Sequence, residues 1–320
     1  MLMAGAVPLL LVMLGGGTYT TVSASSGSPA HIMVVMEENE GYSQIIGSSY
    51  APYLTSLASQ YASATQWYSA EHVSGSDYRD LVSGFDTQSP PPTEQTIADE
   101  LNHAGLPWKA YLEDMPSNCY TGSSSTDGTY DAHHNPFKWA KDYRSLCNNL
   151  TTGGVVPFPS GGPSGFISGL DSANPDYVWV TPDTCDDMHG DYSSPTSPCR
   201  SLKLGTTAVQ AADTWLKSYL GAVLHSSWFA DNGIVIITWD EGLDSDSSGW
   251  VNGAFCPSSC GGGRIPTLVI SASDAHLANH NFTTGGNTFG VLRGIEEAFG
   301  LGLLGHAAST GNGDLRPAFG

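Results

Sequence analysis

Short apolar runs recur along the chain, and several end in acids. His31 is followed by Ile32 to Met36 and then Glu37, Glu38 and Asn39. Tyr177 to Val180 leads into Asp183, Asp186, Asp187 and His189, and Ile234 to Ile237 leads through Thr238 and Trp239 into Asp240, Glu241 and Gly242. Further runs lie at Trp108 to Leu112 and Thr267 to Ile270. Unbroken β-branched runs mark strands buried on both faces. Between them the periodicity changes to that of helices. Pro52 opens one, with Tyr53, Leu54, Leu57, Ala58 and Tyr61 on a single face. Others are predicted over Thr96 to His103, Thr206 to Leu224 and Phe289 to Phe299. Alternating strands and helices predict an α/β fold with a central, mostly parallel sheet and helices on both faces. The Gly/Pro-rich stretch Thr151 to Gly165 reads as a linker or surface excursion.

The strand ends matter because open α/β sheets place ligands at the carboxyl ends of their strands. Adjacent acids there repel one another unless a cation or proton compensates them. A solvated turn gives the same pattern, but three acidic strand ends in one chain favour a site. Between the first strand and the next helices comes EHVSGSDYRDLVSG. Ser74 lies in a Gly/Ser turn just before a short helical pattern, where a helix N-terminus favours incoming negative charge. Ser74 or Ser76 can equally serve as the N-cap of that helix.

Composition narrows the function. The 320 residues carry 31 acids against 11 bases, a net charge of −20. Such a surface offers no basic face for nucleic acid or an anionic membrane. Residues 1–24 read as an export signal, with an apolar Ala4 to Leu14 and a small-residue cleavage site at Val22, Ser23 and Ala24, although no Lys or Arg precedes the apolar run. Residues 25–320 are then expected to form a single domain, with no transmembrane anchor in the mature chain. Six cysteines agree with a secreted, extracellular protein. Nearest-neighbour pairing gives Cys119–Cys147, Cys185–Cys199 and Cys256–Cys260. Zinc ligation is the competing reading, and it lacks C-x-x-C pairs with partners to complete four ligands.

An ordered set of motifs carries a resemblance. Glu38, Asn39 and Tyr42 form EN-x-x-Y, and His72, Ser74, Tyr78, Leu81, Ser83 and Gly84 form H-x-S-x-x-x-Y-x-x-L-x-S-G. HNPF spans His134 to Phe137, TP-x-x-C-x-D-M-H spans Thr181 to His189, TWDEG spans Thr238 to Gly242, and LR-x-IEEAFGL spans Leu292 to Leu301. From His31 to about Leu304 the chain resembles a bacterial phosphoesterase family of secreted acid phosphatases and phosphatidylcholine-type phospholipases C, within the alkaline-phosphatase-like superfamily.

The resemblance implies hydrolysis of a phosphate ester. Glu38, Asn39, Asp240, Glu241 and Asp187 look like metal ligands, and their oxygens imply a divalent calcium, magnesium or manganese ion over zinc. Ser74 holds the place of the nucleophile, and His189 and His134 those of groups that protonate the leaving oxygen. His72, Asp77 and Arg264 are expected at the substrate. The chain departs from the family at three points. Asp77 stands where the family has asparagine, Thr288 stands where it often has histidine, and Arg264 replaces a histidine with a guanidinium able to clamp phosphate. A carboxylate at 77 facing the phosphate would repel it, so Asp77→Asn is expected to raise activity. The alternative function is a degenerate, non-catalytic exported protein that holds phosphate or a cation.

Overall fold

The apolar runs assemble into one eight-stranded sheet. The computed structural model describes residues 28–85, 95–141, 143–147, 150–151, 153–190, 196–273 and 281–320; the expected export segment lies outside them. In chain order the first half comprises β1 (His31–Glu37), α1 (Tyr42–Ile45), α2 (Pro52–Gln60), β2 (Ala62–Ala64), β3 (Trp67–Tyr68), α3 (Ser74–Ser83), α4 (Ile97–Ala104), β4 (Trp108–Leu112) and α5 (Tyr143–Leu146). The second half comprises β5 (Val155–Pro157), α6 (Gly162–Ala173), β6 (Tyr177–Thr181), α7 (Thr207–Val223), α8 (Ser227–Ala230), β7 (Gly233–Trp239), β8 (Gly249–Val251), β9 (Ala254–Cys256), β10 (Thr267–Ser271), β11 (Asn281–Phe282), β12 (Gly286–Asn287) and α9 (Thr288–Phe299).

The sheet order is β11-β2-β10-β7-β1-β6-β4-β5. The run from β7 to β5 is parallel throughout, whereas β10 is antiparallel to both β7 and β2. Every residue of β1, β4, β6, β7 and β10 is buried, so both faces of the sheet are covered. One group of helices joins α2, α6, α7 and α8, and another joins α3 to α9. β1 lies between β7 and β6, so the three acidic strand ends of the sequence are neighbours in space.

The stretch expected as a linker is part of the fold. Val155 to Pro157 pairs with β4 as the edge strand β5, and Gly162 onward forms α6. Three residues are too few to show alternation, and Gly161, Gly162 and Pro163 disguise a helix start. Aromatic packing fixes the segment: Phe158 stacks on Phe166 at 4.9 Å and meets Trp215 and Tyr219 of α7. The three cysteine pairs form as nearest-neighbour pairing predicts.

One buried acid away from the strand ends sets a pH dependence. Glu296 of α9 is fully buried and accepts a hydrogen bond from the Leu304 backbone N–H at 3.1 Å. Burial pushes its carboxyl up to about 8. The folded value lies above the unfolded one, so its contribution is fully favourable at acid pH and is lost as pH rises from about 4.5 through about 8. Glu296→Gln keeps an acceptor for Leu304. It is expected to flatten the fall in melting temperature between pH 5 and about 8.5; an unchanged profile would contradict the assignment.

Candidate active site

The three strand ends are tied together by their own backbone. Glu38 N–H donates to the Asp187 carbonyl at 2.8 Å, and Asp240 N–H donates to the Glu37 carbonyl at 3.0 Å. The turn after β1 bends at Asn39, which takes a left-handed φ of 48°, a conformation asparagine tolerates. That bend aims its backbone N–H at Asp240 Oδ1 (3.0 Å) and its side-chain amide at Glu241 Oε1 (3.1 Å). The turn after β6 is tighter. Met188, fully buried, has φ of 79°, and Asp187 Oδ1 holds the turn by accepting from the N–H groups of His189 (2.9 Å) and Gly190 (3.3 Å). A buried non-glycine residue in this region is strained and is held there by its surroundings.

Ser74 is the first residue of α3, and its hydroxyl donates to Glu241 Oε1 at 3.0 Å and reaches Glu38 Oε2 at 3.3 Å. The other two serines of the motif are placed differently. Ser76 and Ser83 are buried, and Ser83 donates to the carbonyl of Arg79 four residues back at 2.9 Å. His134 lies between two acids, with Nε2 3.1 Å from Glu38 Oε1 and Nδ1 3.6 Å from Asp187 Oδ2, and its ring stacks on Tyr78 at 5.2 Å. His189 is half-buried beside His134; burial and that neighbour lower its value, against the opposing fields of Glu241 and Asp244.

The electrostatics are those of a site short of positive charge. Burial, then the charges of Asp187 and Glu241, hold the Glu38 carboxyl well above the usual carboxylate range. Burial, then Glu38 and Glu241, do the same to Asp240. Burial raises Asp187 to about 6 even though His134 pulls it down. Among the described residues, Asn39 Oδ1 and Asp240 Oδ2 are buried without a hydrogen-bond partner. Oxygen donors left unpaired beside repelling acids fit a hard divalent cation.

Two of the three expected substrate residues, Asp77 and His72, are engaged within the protein. Asp77 is fully buried: Oδ1 accepts from the Ser69 hydroxyl (2.8 Å) and Glu71 N–H (3.2 Å), and Oδ2 from Val73 N–H (3.0 Å). It braces the loop that delivers Ser74, and its oxygens face that loop. An amide there would turn its NH2 group toward N–H donors. Asp77→Asn is therefore expected to lower stability by about 1–3 kcal/mol, the cost of a buried donor left unpaired, and to lower turnover with it. The melting temperature and kcat of the variant check this; a gain in activity would restore the reading from sequence. His72 has both ring nitrogens engaged, Nδ1 with Glu241 Oε2 at 2.5 Å and Nε2 donating to the Asp246 carbonyl at 2.9 Å. It orients Glu241. Burial alone would lower His72, but the bonds to Asp246 and Glu241 outweigh it and the net shift is upward.

Arg264 lies in a cleft of ≈ 280 Å³ lined by Gly41, Tyr42, Leu243 and Asp246 among others. Its guanidinium sits 3.9 Å over the Tyr42 ring. The glycines before it are needed for packing: a Cβ on Gly262 would fall 1.7 Å from the Glu71 carbonyl oxygen. One site residue was missed from sequence. Asp244 offers an oxygen within 4.8 Å of ligand atoms of both His72 and Glu241. Its position four residues after Asp240, in a Ser/Asp-rich loop, was the only signal.

The fold is that of the alkaline phosphatase superfamily. A protein of that superfamily from Vibrio parahaemolyticus matches with a TM-score of 0.54 at 14% identity, over 89% of this chain and 71% of its own. A lipoteichoic acid synthase from Listeria monocytogenes matches with a TM-score of 0.55 at 10% identity, over 88% and 76%. The sequence profile of the Phosphoesterase family matches residues 48–302, and the chain belongs to that family. The chain is 27% identical to a phosphatidylinositol-3-phosphatase of Mycobacterium tuberculosis, covering 90% of this chain and 83% of that one. It is 24% identical to a phosphate-repressible acid phosphatase of Penicillium chrysogenum, over 79% of this chain but only 55% of the relative's length.

Proposed function

We propose that this protein is a secreted, metal-dependent phosphoesterase that hydrolyses phosphate esters through Ser74. The observation that carries the reading is the Ser74 hydroxyl, at the N-terminus of α3, hydrogen-bonded to Glu241 and close to Glu38 in a buried acidic cluster with unpaired oxygens. Glu38, Asn39, Asp240, Glu241 and Asp187 would hold the cation, with Asp244 completing the set beside Glu241. Calcium, magnesium or manganese suits these oxygens better than zinc. When bound, such an ion offsets the repulsion among the acids and draws charge from a phosphate oxygen.

The chain's own groups account for the chemistry. Ser74 Oγ attacks phosphorus as its proton passes to Glu241 or Glu38, the carboxylates it faces. The Oγ–P bond forms while the bond from phosphorus to the leaving oxygen breaks. His189 or His134 gives that oxygen a proton. Water then cleaves the phosphoseryl intermediate, releasing phosphate and restoring the Ser74 hydroxyl. The N-terminus of α3 favours the negative charge gathered on the phosphoryl oxygens. Arg264, in the cleft beside Tyr42, would meet an outer anionic part of the substrate.

The relatives named above as phosphatases favour a phosphate monoester over the diester that a phospholipase C would cleave. Three disulfides favour an oxidising, extracellular setting. Among the described residues no helix is long and apolar enough to cross a membrane. The non-catalytic alternative loses the support of Asp77, which is turned to the loop. The test is turnover of a chromogenic phosphate monoester and diester by the full chain. Monoester turnover that stops with chelator and returns with a divalent ion is expected. Turnover unaffected by exhaustive chelation would remove the metal from the mechanism, and no turnover of either ester would favour the binding reading.

A further inference from the structure

A second group of acids lies apart from the Ser74 cluster. Carboxylate oxygens of Glu113, Asp183 and Asp186 fall within 4.8 Å of one another. Glu113 follows β4, and the two aspartates lie in the loop after β6. Glu113 Oε1 accepts from the Trp215 indole N–H of α7 at 3.0 Å, and Oε2 accepts from Asp183 N–H at 3.2 Å. An acidic cluster in a loop needs no ion by itself.

The independent observation is Glu37. It is fully buried, and among the described residues neither of its carboxylate oxygens has a hydrogen-bond partner. Strand register says where it points. Val35, Val180 and Tyr111 are register partners across β1, β6 and β4 and share one face. Two residues further on, with the period of a strand, Glu37 and Glu113 continue that face. It is the face on which Tyr111 packs against Phe158 and Phe166, and therefore the α6–α7 side. Glu38, one residue on, turns to the opposite side, toward Ser74 and His134. A buried carboxyl with no donor, on the face that carries Glu113, requires a proton or a cation. Access exists: Asp186 and Trp215 line an open groove along α7 of ≈ 550 Å³.

We propose that Glu37, Glu113, Asp183 and Asp186 form a second site for a hard divalent cation of the calcium type, on the face of the sheet opposite Ser74. Glu113, Asp183 and Asp186 bring their oxygens together as such an ion requires, and Glu37 adds its charge from the buried end of β1. The site would clamp the loop after β6 to the ends of β1 and β4. That loop carries Asp187 and His189, so the ion would position both from the far side of the sheet.

Calorimetric titration of calcium into the chelator-treated full chain tests this. Glu113→Gln combined with Asp186→Asn is expected to abolish one binding event that the wild type shows, and Glu38→Gln combined with Asp240→Asn is expected to leave that event in place. Glu37→Gln, which keeps shape and removes charge, is expected to weaken it by about 10-fold or more. The same event should appear as terbium emission excited through indole in the wild type and fall several-fold in Trp215→Phe. If the Glu113/Asp186 variant does not fold, the Glu37→Gln titration and the terbium signal decide. Calcium binding unchanged in the Glu113/Asp186 variant, or in Glu37→Gln with an unaltered terbium signal in Trp215→Phe, would overturn the proposal.

Discussion

Ser74→Ala is expected to reduce kcat for a phosphate monoester by on the order of 10^4-fold or more, the scale on which loss of a nucleophile acts. Metal content should stay that of the wild type. The reason is local: the hydroxyl touches Glu241 and Glu38, but Glu241 Oε1 retains the Asn39 amide at 3.1 Å and its other oxygen retains His72. Nothing that holds the acids together depends on Oγ. Ser76→Ala should keep most of the activity, because Ser76 is buried within the helix. A phosphorylated peptide containing Ser74, trapped by acid quench and identified by mass spectrometry, is expected from the wild type. Hydrolysis near the wild-type rate in Ser74→Ala, with Ser76→Ala inactive, would shift the site by two residues.

Glu38→Gln and Asp240→Asn should separate stability from function. Both acids are fully buried, and each lies in the field of further carboxylates. Their raised values mean that, in the metal-free protein, ionising them costs stability, and the cost grows as pH rises above the ordinary carboxylate range. The amides carry no charge, so the metal-free variants are expected to melt higher than the metal-free wild type near pH 8. For a chain of this size each kcal/mol corresponds to roughly 2–4 °C. The added divalent ion should no longer raise their melting temperature, and turnover should fall by about 10^3-fold. Thermal scans with and without the ion, alongside activity, give both readings. Metal-free variants less stable than the metal-free wild type, with the ion's effect intact, would mean that these acids are paired within the fold and hold no cation.

Much of the fold was legible because the period of the hydrophobic pattern is set locally. The run Ile234 to Ile237 is β-branched and unbroken, and it is a fully buried strand. The pattern of Val209, Ala212, Trp215 and Leu216 lies inside α7. The edge strand Val155 to Pro157 was not legible, because three residues beside glycines and prolines carry no period, and packing of Phe158 on α6 and α7 fixes them there.

By itself the sequence determined that acids and a hydroxyl would gather at strand ends, since a buried run must stop where its polar residues begin. It also set the cysteine pairs, which close short stretches of chain. Only the tertiary structure decided which way each carboxylate faces. Asp77, Glu37 and Glu38 are the same chemistry in sequence. Asp77 is taken up by N–H donors of its own loop, Glu38 turns toward Ser74, and Glu37 points to the other face. A carboxylate's role depends on the donors and charges within a few ångströms of it; for Asp77 these are local, whereas for Glu38 they come from Ser74 of α3 and from His134, remote in sequence and brought together only by the fold.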